Sequence, residues 1–183
     1  MKKQVLFIQG GGNGGYKTDA PLVASLQETL GSGYQVHYPQ MRADETAPGF
    51  ASQWLQQIGE QITAAQDGLI LAGHSLGASL LVKYLSENTL ETAIAGVFLV
   101  APPFWNGNQD WVQPLKLQEG FAEQLPKGLP IYCYQSRDDE VVPFDHFIRY
   151  QQQLTGAIFR ELASGGHQLH NDLSVVAADI KRL

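Results

Sequence analysis

Six short apolar segments, residues 5–9, 34–38, 68–72, 95–100, 130–135 and 157–162, alternate with longer stretches whose apolar residues return at helical spacing. Strands that are apolar throughout must be covered on both faces. The pattern therefore predicts an α/β fold, a parallel sheet of about six strands flanked by helices. Leu22, Leu26 and Leu30 predict a first helix, capped by Asp19 and closed by Gly31. Trp54, Ile58 and Ile62 form a second stripe, and Leu80, Leu81, Tyr84 and Leu85 a third. A last helix starts near Asp172 and buries Leu173, Val176 and Ile180. Right-handed crossovers wind such a chain into layers, and 183 residues suit a single domain spanning 1–183. Residues 101–129 break the alternation with Pro102, Pro103, Pro114, two tryptophans and at most a short helix near 117–125. This excursion leaves the carboxyl end of the fourth strand, the side on which open α/β sheets bind ligands.

Charge and cysteine usage narrow the partners. A net charge of −6, with Lys and Arg scattered singly, argues against nucleic acid, whose phosphates require clustered cations. The lone cysteine, Cys133, excludes an internal disulfide and reads as a core residue within Ile131-Tyr132-Cys133-Tyr134; a cytoplasmic location is expected. The apolar run Val5-Leu6-Phe7-Ile8 stops at Gln9, too soon for a secretory leader, and no later run has the length of a membrane span.

Four motifs carry chemistry. Gly73-His74-Ser75-Leu76-Gly77 follows one apolar strand and opens a helix, the strand–turn–helix setting of a nucleophile elbow. Its glycines admit the crossing backbone around a serine in strained geometry. The plainer alternative makes Ser75 a helix cap. After the fifth strand stands Ser136-Arg137-Asp138-Asp139-Glu140-Val141-Val142-Pro143, otherwise an acidic turn before a helix; after the sixth stands Ala163-Ser164-Gly165-Gly166-His167. After the first comes Gln9-Gly10-Gly11-Gly12-Asn13.

Taken together and in this order, the motifs resemble the α/β-hydrolase superfamily over nearly the whole chain. The resemblance implies a compact serine hydrolase without a sizeable cap domain. It assigns Ser75 as nucleophile, His167 as general base and Asp139, four residues before Pro143, as the acid. Asp138 is the alternative acid and His170 the alternative base. The oxyanion hole would take the amide of Leu76 and one from the glycine loop, Gly11 by resemblance, with Gly12 or Gly10 open. Many family members carry His-Gly where this chain has Gln9-Gly10.

The expected reaction is acyl transfer to water on a small carboxylic ester, thioester or amide, with no metal or organic cofactor. Phe104, Trp105, Trp111 and Met41, with His74 at the variable elbow position, are candidate substrate-pocket residues; the aromatics would otherwise be local core. His37 and His146 are read as a strand end and an exposed helix position. Gly10, Gly12 and Gly15 also satisfy a dinucleotide fingerprint, but the predicted helix begins too late to reach a pyrophosphate and no acid follows the second strand. The P-loop spacing is broken by Tyr16. A reading of another class is a binding or scaffold protein that keeps the fold without turnover.

Overall fold

The structure, a computed structural model, describes residues 2–12 and 14–183, so Asn13 of the glycine loop lies outside the described residues. Six strands, β1 (Lys3–Ile8), β2 (Tyr34–His37), β3 (Leu69–His74), β4 (Ile94–Val100), β5 (Ile131–Ser136) and β6 (Ile158–Leu162), form one sheet. Their order is β2-β1-β3-β4-β5-β6, and every neighbouring pair is parallel. The helices are α1 (Gly15–Leu30), α2 (Phe50–Thr63), α3 (Leu76–Glu87), α4 (Phe121–Gln124), α5 (Phe144–Gln153) and α6 (Ser174–Ile180).

Side-chain alternation along the strands divides the core in two. Leu6, Ile8, Leu69, Leu71, Val97, Leu99 and Cys133 face α2, α3 and α5, where they meet Trp54, Ile58, Ile62, Leu81 and Phe147. Val5, Phe7, Ile70, Ala72, Phe98, Val100 and Tyr134 face α1 and α6, meeting Leu22, Leu26, Val176 and Ile180. Full burial of one such side chain contributes roughly 1.5–3 kcal/mol, and both layers are filled by them. Burial also pushes the Cys133 thiol up, out of the reactive range.

The chain runs from β1 outward to β2 by way of α1, then returns across β1 to β3 by way of α2. The winding therefore reverses between β1 and β3, and the loops after these two strands diverge around a crevice. The sequence places the first helix start at Asp19; the structure starts α1 at Gly15. Gly14 precedes it in the left-handed region (φ 89°) with no side-chain cap, while Asp19 lies inside the helix, turned into the protein. Asp172 does meet its expectation locally, since its Oδ1 accepts the Ser174 amide at 2.8 Å as α6 begins. Residues 101–129 form an irregular excursion containing a 3₁₀ turn at Gln113–Leu115 and α4, and no cap domain is built from it. Among the described residues no helix is long and apolar enough to cross a membrane.

Candidate active site

Ser75 occupies the turn between β3 and α3 with φ 50° and ψ −121°, a conformation that L-residues rarely adopt. The turn is possible because Gly77 lies against the end of β1. A Cβ there would lie 2.6 Å from the carbonyl oxygen of Ile8 and closer still to that of Gln9. The Ser75 amide donates to Val100 O at 2.8 Å, which ties the strained residue to β4. A cap role would require the Ser75 hydroxyl to accept a backbone amide of α3, and it accepts none among the described residues.

Asp139 and His167 meet beside it. The His167 Nδ1 lies 2.9 and 3.1 Å from the two Asp139 oxygens. The amides of Val141 (2.9 Å) and Val142 (2.8 Å) and Nε2 of Gln135 (3.0 Å) also donate to that carboxylate. Burial opposes ionisation of Asp139, yet hydrogen bonds from His167, Val142 and Val141 outweigh it and hold the carboxyl below the ordinary range. Asp138 points elsewhere: it accepts from the Ser136 hydroxyl and, at 2.9 Å, from the Gly166 amide. His170 follows His167 in a run of left-handed residues, Leu169, His170 and Asn171. It does not line the cavity that Ser75 and His167 share. No hydrogen bond joins the Ser75 hydroxyl to His167 among the described residues; such catalytic bonds are often long until substrate binds.

Three consecutive amides of the glycine loop have different fates. Gly10 donates to Asp19 at 2.6 Å and Gly12 to Glu45 at 2.8 and 3.0 Å. Gly11 has no acceptor among the described residues, nor does Leu76, the first residue of α3. Gly11 is packed on Leu76, whose Cδ2 would lie 2.7 Å from an added Cβ, so the two unengaged amides belong to residues in contact. The dinucleotide alternative fares worse than its sequence argument indicates, for a different reason. The helix does begin at Gly15, but carboxylates of Asp19 and Glu45 occupy the loop amides that a pyrophosphate would need.

A cavity of about 800 Å³ opens over these groups. A family model for serine hydrolases matches residues 23–172 of the chain. The chain belongs to the serine hydrolase family. Solved α/β-hydrolase structures share its fold along the whole length. The ydeN gene product of B. subtilis aligns with TM-score 0.67 and 20% identity, covering 100% of this chain and 98% of its own. Arabidopsis thaliana SOBER1 gives 0.73 and 14%, over 100% and 99%. The meta-cleavage product hydrolase CumD of Pseudomonas fluorescens IP01 gives 0.78 and 14%, over 98% and 91%. No curated protein matches the chain significantly.

The walls of this serine hydrolase's cavity depart in part from the residues expected of them. Trp105 and Trp111 line it, set edge to face with ring centroids 5.8 Å apart, and Trp105 Nε1 donates to Ser79 Oγ at 3.0 Å. His74 borders it but is almost wholly buried. Met41 and Phe104 do not line it. Met41 is in the core, its amide bound to Gln9 Oε1 at 3.0 Å, and Phe104 packs on Phe121 and Tyr150. Gln9, standing where relatives often have histidine, thus ties the second-strand loop to the glycine loop. His146, expected on an exposed helix face, lines the cavity; its Nδ1 accepts the Phe104 amide at 2.9 Å, and burial lowers its pKa. Phe50, Leu115, Val141 and Val142 complete the apolar wall, with Glu45 and Glu140 among its polar members. Val141 and Val142 were not expected there; their place in the acid-loop motif is the local signal that could have found them. Phe50 and Leu115 carry no local signal, because only the fold brings them there.

Proposed function

We propose that the protein hydrolyses a small carboxylic ester, thioester or amide through an acyl-enzyme on Ser75. The observation that carries this reading is a serine held at φ 50° on the same cavity as a His167–Asp139 pair. In the reaction His167 Nε2 takes the hydroxyl proton as Ser75 Oγ attacks the acyl carbonyl. Asp139 holds the proton-bearing Nδ1 and stabilises the imidazolium. The amides of Leu76 and Gly11 receive the oxyanion, a contribution of roughly 3–4 kcal/mol per donor in comparable sites. His167 then gives its proton to the leaving oxygen, sulfur or nitrogen. Water, deprotonated by the same imidazole, cleaves the acyl-enzyme and restores the serine.

The cavity's aromatic and aliphatic wall supports an apolar acyl or alcohol group on the substrate. Fluorophosphonate labelling of wild type and Ser75→Ala, followed by p-nitrophenyl ester hydrolysis, tests the reading. Labelling and turnover that vanish together in Ser75→Ala are expected. Folded wild type that neither labels nor turns over any ester, thioester or amide would return the protein to the binding or scaffold class.

A further inference from the structure

Beside the His167–Asp139 pair lies a second histidine–carboxylate pair to which the mechanism above assigns no part. Asp19 and His74 are each about 1% exposed, and His74 Nδ1 lies 2.9 and 3.0 Å from the two Asp19 oxygens. Asp19 also accepts the Gly10 amide at 2.6 Å and Gln168 Nε2 at 3.2 Å. One carboxylate thus binds the glycine loop, the elbow and the histidine loop. The other ring nitrogen, His74 Nε2, lies 3.0 Å from the carbonyl oxygen of His167. A carbonyl only accepts, so Nε2 must carry a hydrogen, and the Nδ1–Asp19 contact holds the ring in that orientation. The two imidazoles are in contact, with ring centroids 4.6 Å apart.

The loop so tethered has turn bonds of its own, His170 N to Gly165 O at 2.8 Å and Asn171 N to Gln168 O at 2.7 Å, but none among the described residues engages the amide or carbonyl of His167. Gly166 and then Leu169, His170 and Asn171 all have positive φ, which is unfavourable for each of the three L-residues. Both peptide groups of His167 are bonded instead by side chains from outside the loop. The amide of His167 donates to Glu140 at 3.0 Å and its carbonyl lies 3.0 Å from His74 Nε2.

We propose that Asp19 and His74 are positioning residues for the hydrolytic reaction, fixing His167 through its backbone carbonyl and Gly11 through its neighbour Gly10. The inference rests on Ser75 and His167 being the reacting pair. His74→Ala releases the carbonyl of His167 and leaves Asp19 without its principal partner. Misplacement of a base by about 1 Å costs on the order of 100-fold in rate, so kcat falls roughly 10- to 100-fold while KM stays within about twofold. Asp19→Ala behaves likewise. Asp19→Asn is the rescuing variant: its oxygen still accepts from Gly10, its amide can donate to Nδ1, leaving Nε2–H on the His167 carbonyl, and Gln168, whose Oε1 has no partner among the described residues, turns its amide over to accept the other hydrogen.

The experiment measures the three variants by kcat and KM on a p-nitrophenyl ester, by fluorophosphonate labelling rate and by Tm. Wild-type imidazole ¹H–¹⁵N spectra are recorded as a readout free of catalysis. The proposal is supported by reduced kcat and labelling in folded His74→Ala and Asp19→Ala, recovered in Asp19→Asn, with a hydrogen on His74 Nε2. Folded variants with lowered Tm but kcat within twofold of wild type would overturn it, as would His74 Nε2 without a hydrogen. If the alanine variants do not fold, His74→Gln, which keeps a donor for the His167 carbonyl, takes their place: kcat and labelling near wild type support the proposal, and Nε2 without a hydrogen in the wild-type spectra overturns it. Wild type inert to probe and substrates, with Nε2–H present, would instead sink the hydrolytic reading.

Discussion

Asp139→Asn is the perturbation whose effect the structure defines most sharply. In the wild type one carboxylate oxygen, Oδ1, accepts the amides of Val141 and Val142, while Oδ2 faces His167 Nδ1 at 2.9 Å and Gln135 Nε2 at 3.0 Å. An asparagine can keep its oxygen toward the two valine amides only by turning its NH₂ toward His167 and Gln135. It then donates to His167 Nδ1, which moves the ring hydrogen to Nε2, the nitrogen that must accept the serine proton. The same NH₂ meets the Gln135 donor head on. Loss of the correct tautomer in a serine–histidine–aspartate site costs on the order of 10⁴ in kcat, or about 5 kcal/mol of transition-state stabilisation. Asp138→Asn behaves differently, because an amide oxygen can still accept from Ser136 and Gly166. Its kcat stays within roughly fivefold. Both variants are assayed by kcat/KM on one chromogenic ester, with Tm measured to establish folding. Equal losses in the two, or the larger loss in Asp138→Asn, would refute the assignment of Asp139 and the tautomer argument with it.

Other consequences follow from packing and charge. Gly77→Ala forces a methyl group into the Ile8 and Gln9 carbonyls, so a loss of about 3 kcal/mol or more is expected as a lower urea midpoint; an unchanged midpoint would contradict the elbow packing. Trp111→Ala removes an exposed cavity wall and raises KM for an apolar ester roughly three- to tenfold with little change in kcat. Phe104→Ala instead lowers stability by up to about 3 kcal/mol and leaves KM alone, since its ring packs on Phe121 and Tyr150. The carboxyls of Asp179, held down first by the Arg160 guanidinium, and of Asp19, held down against burial by His74, titrate below their ordinary range. Their stabilisation is complete above the unfolded value of about 4 and is lost as pH falls through the lower folded values. Urea midpoints from pH 7 to pH 2.5 are therefore flat at first and drop below about pH 4, whereas a rise on acidification would contradict those two pairings.

The family and the candidate site were legible because each motif is a local statement. Strand–turn–helix around Ser75, glycines before His167 and aspartates after β5 all depend on residues within a few positions of one another. Strand alternation and helical stripes are equally local, which is why all six strands fall within two residues of where the pattern places them. Asp19 shows the limit. A local rule reads an aspartate before a helical stripe as its cap, yet the helix begins four residues earlier on Gly14 and Gly15 without any side-chain cap. The Asp19 carboxylate is drawn instead to Gly10, to His74 and to Gln168, partners 9, 55 and 149 positions away. Met41 and Phe104 have the composition of pocket residues but are claimed by core neighbours, while His146 looks exposed on its helix and is turned to the cavity by the Phe104 amide. Sequence by itself determined which groups could react, through chemistry and spacing along the chain. Tertiary structure alone decided which side chains face the cavity and which bond to the candidate residues from other loops, because those choices depend on contacts that only the assembled sheet brings within hydrogen-bonding distance.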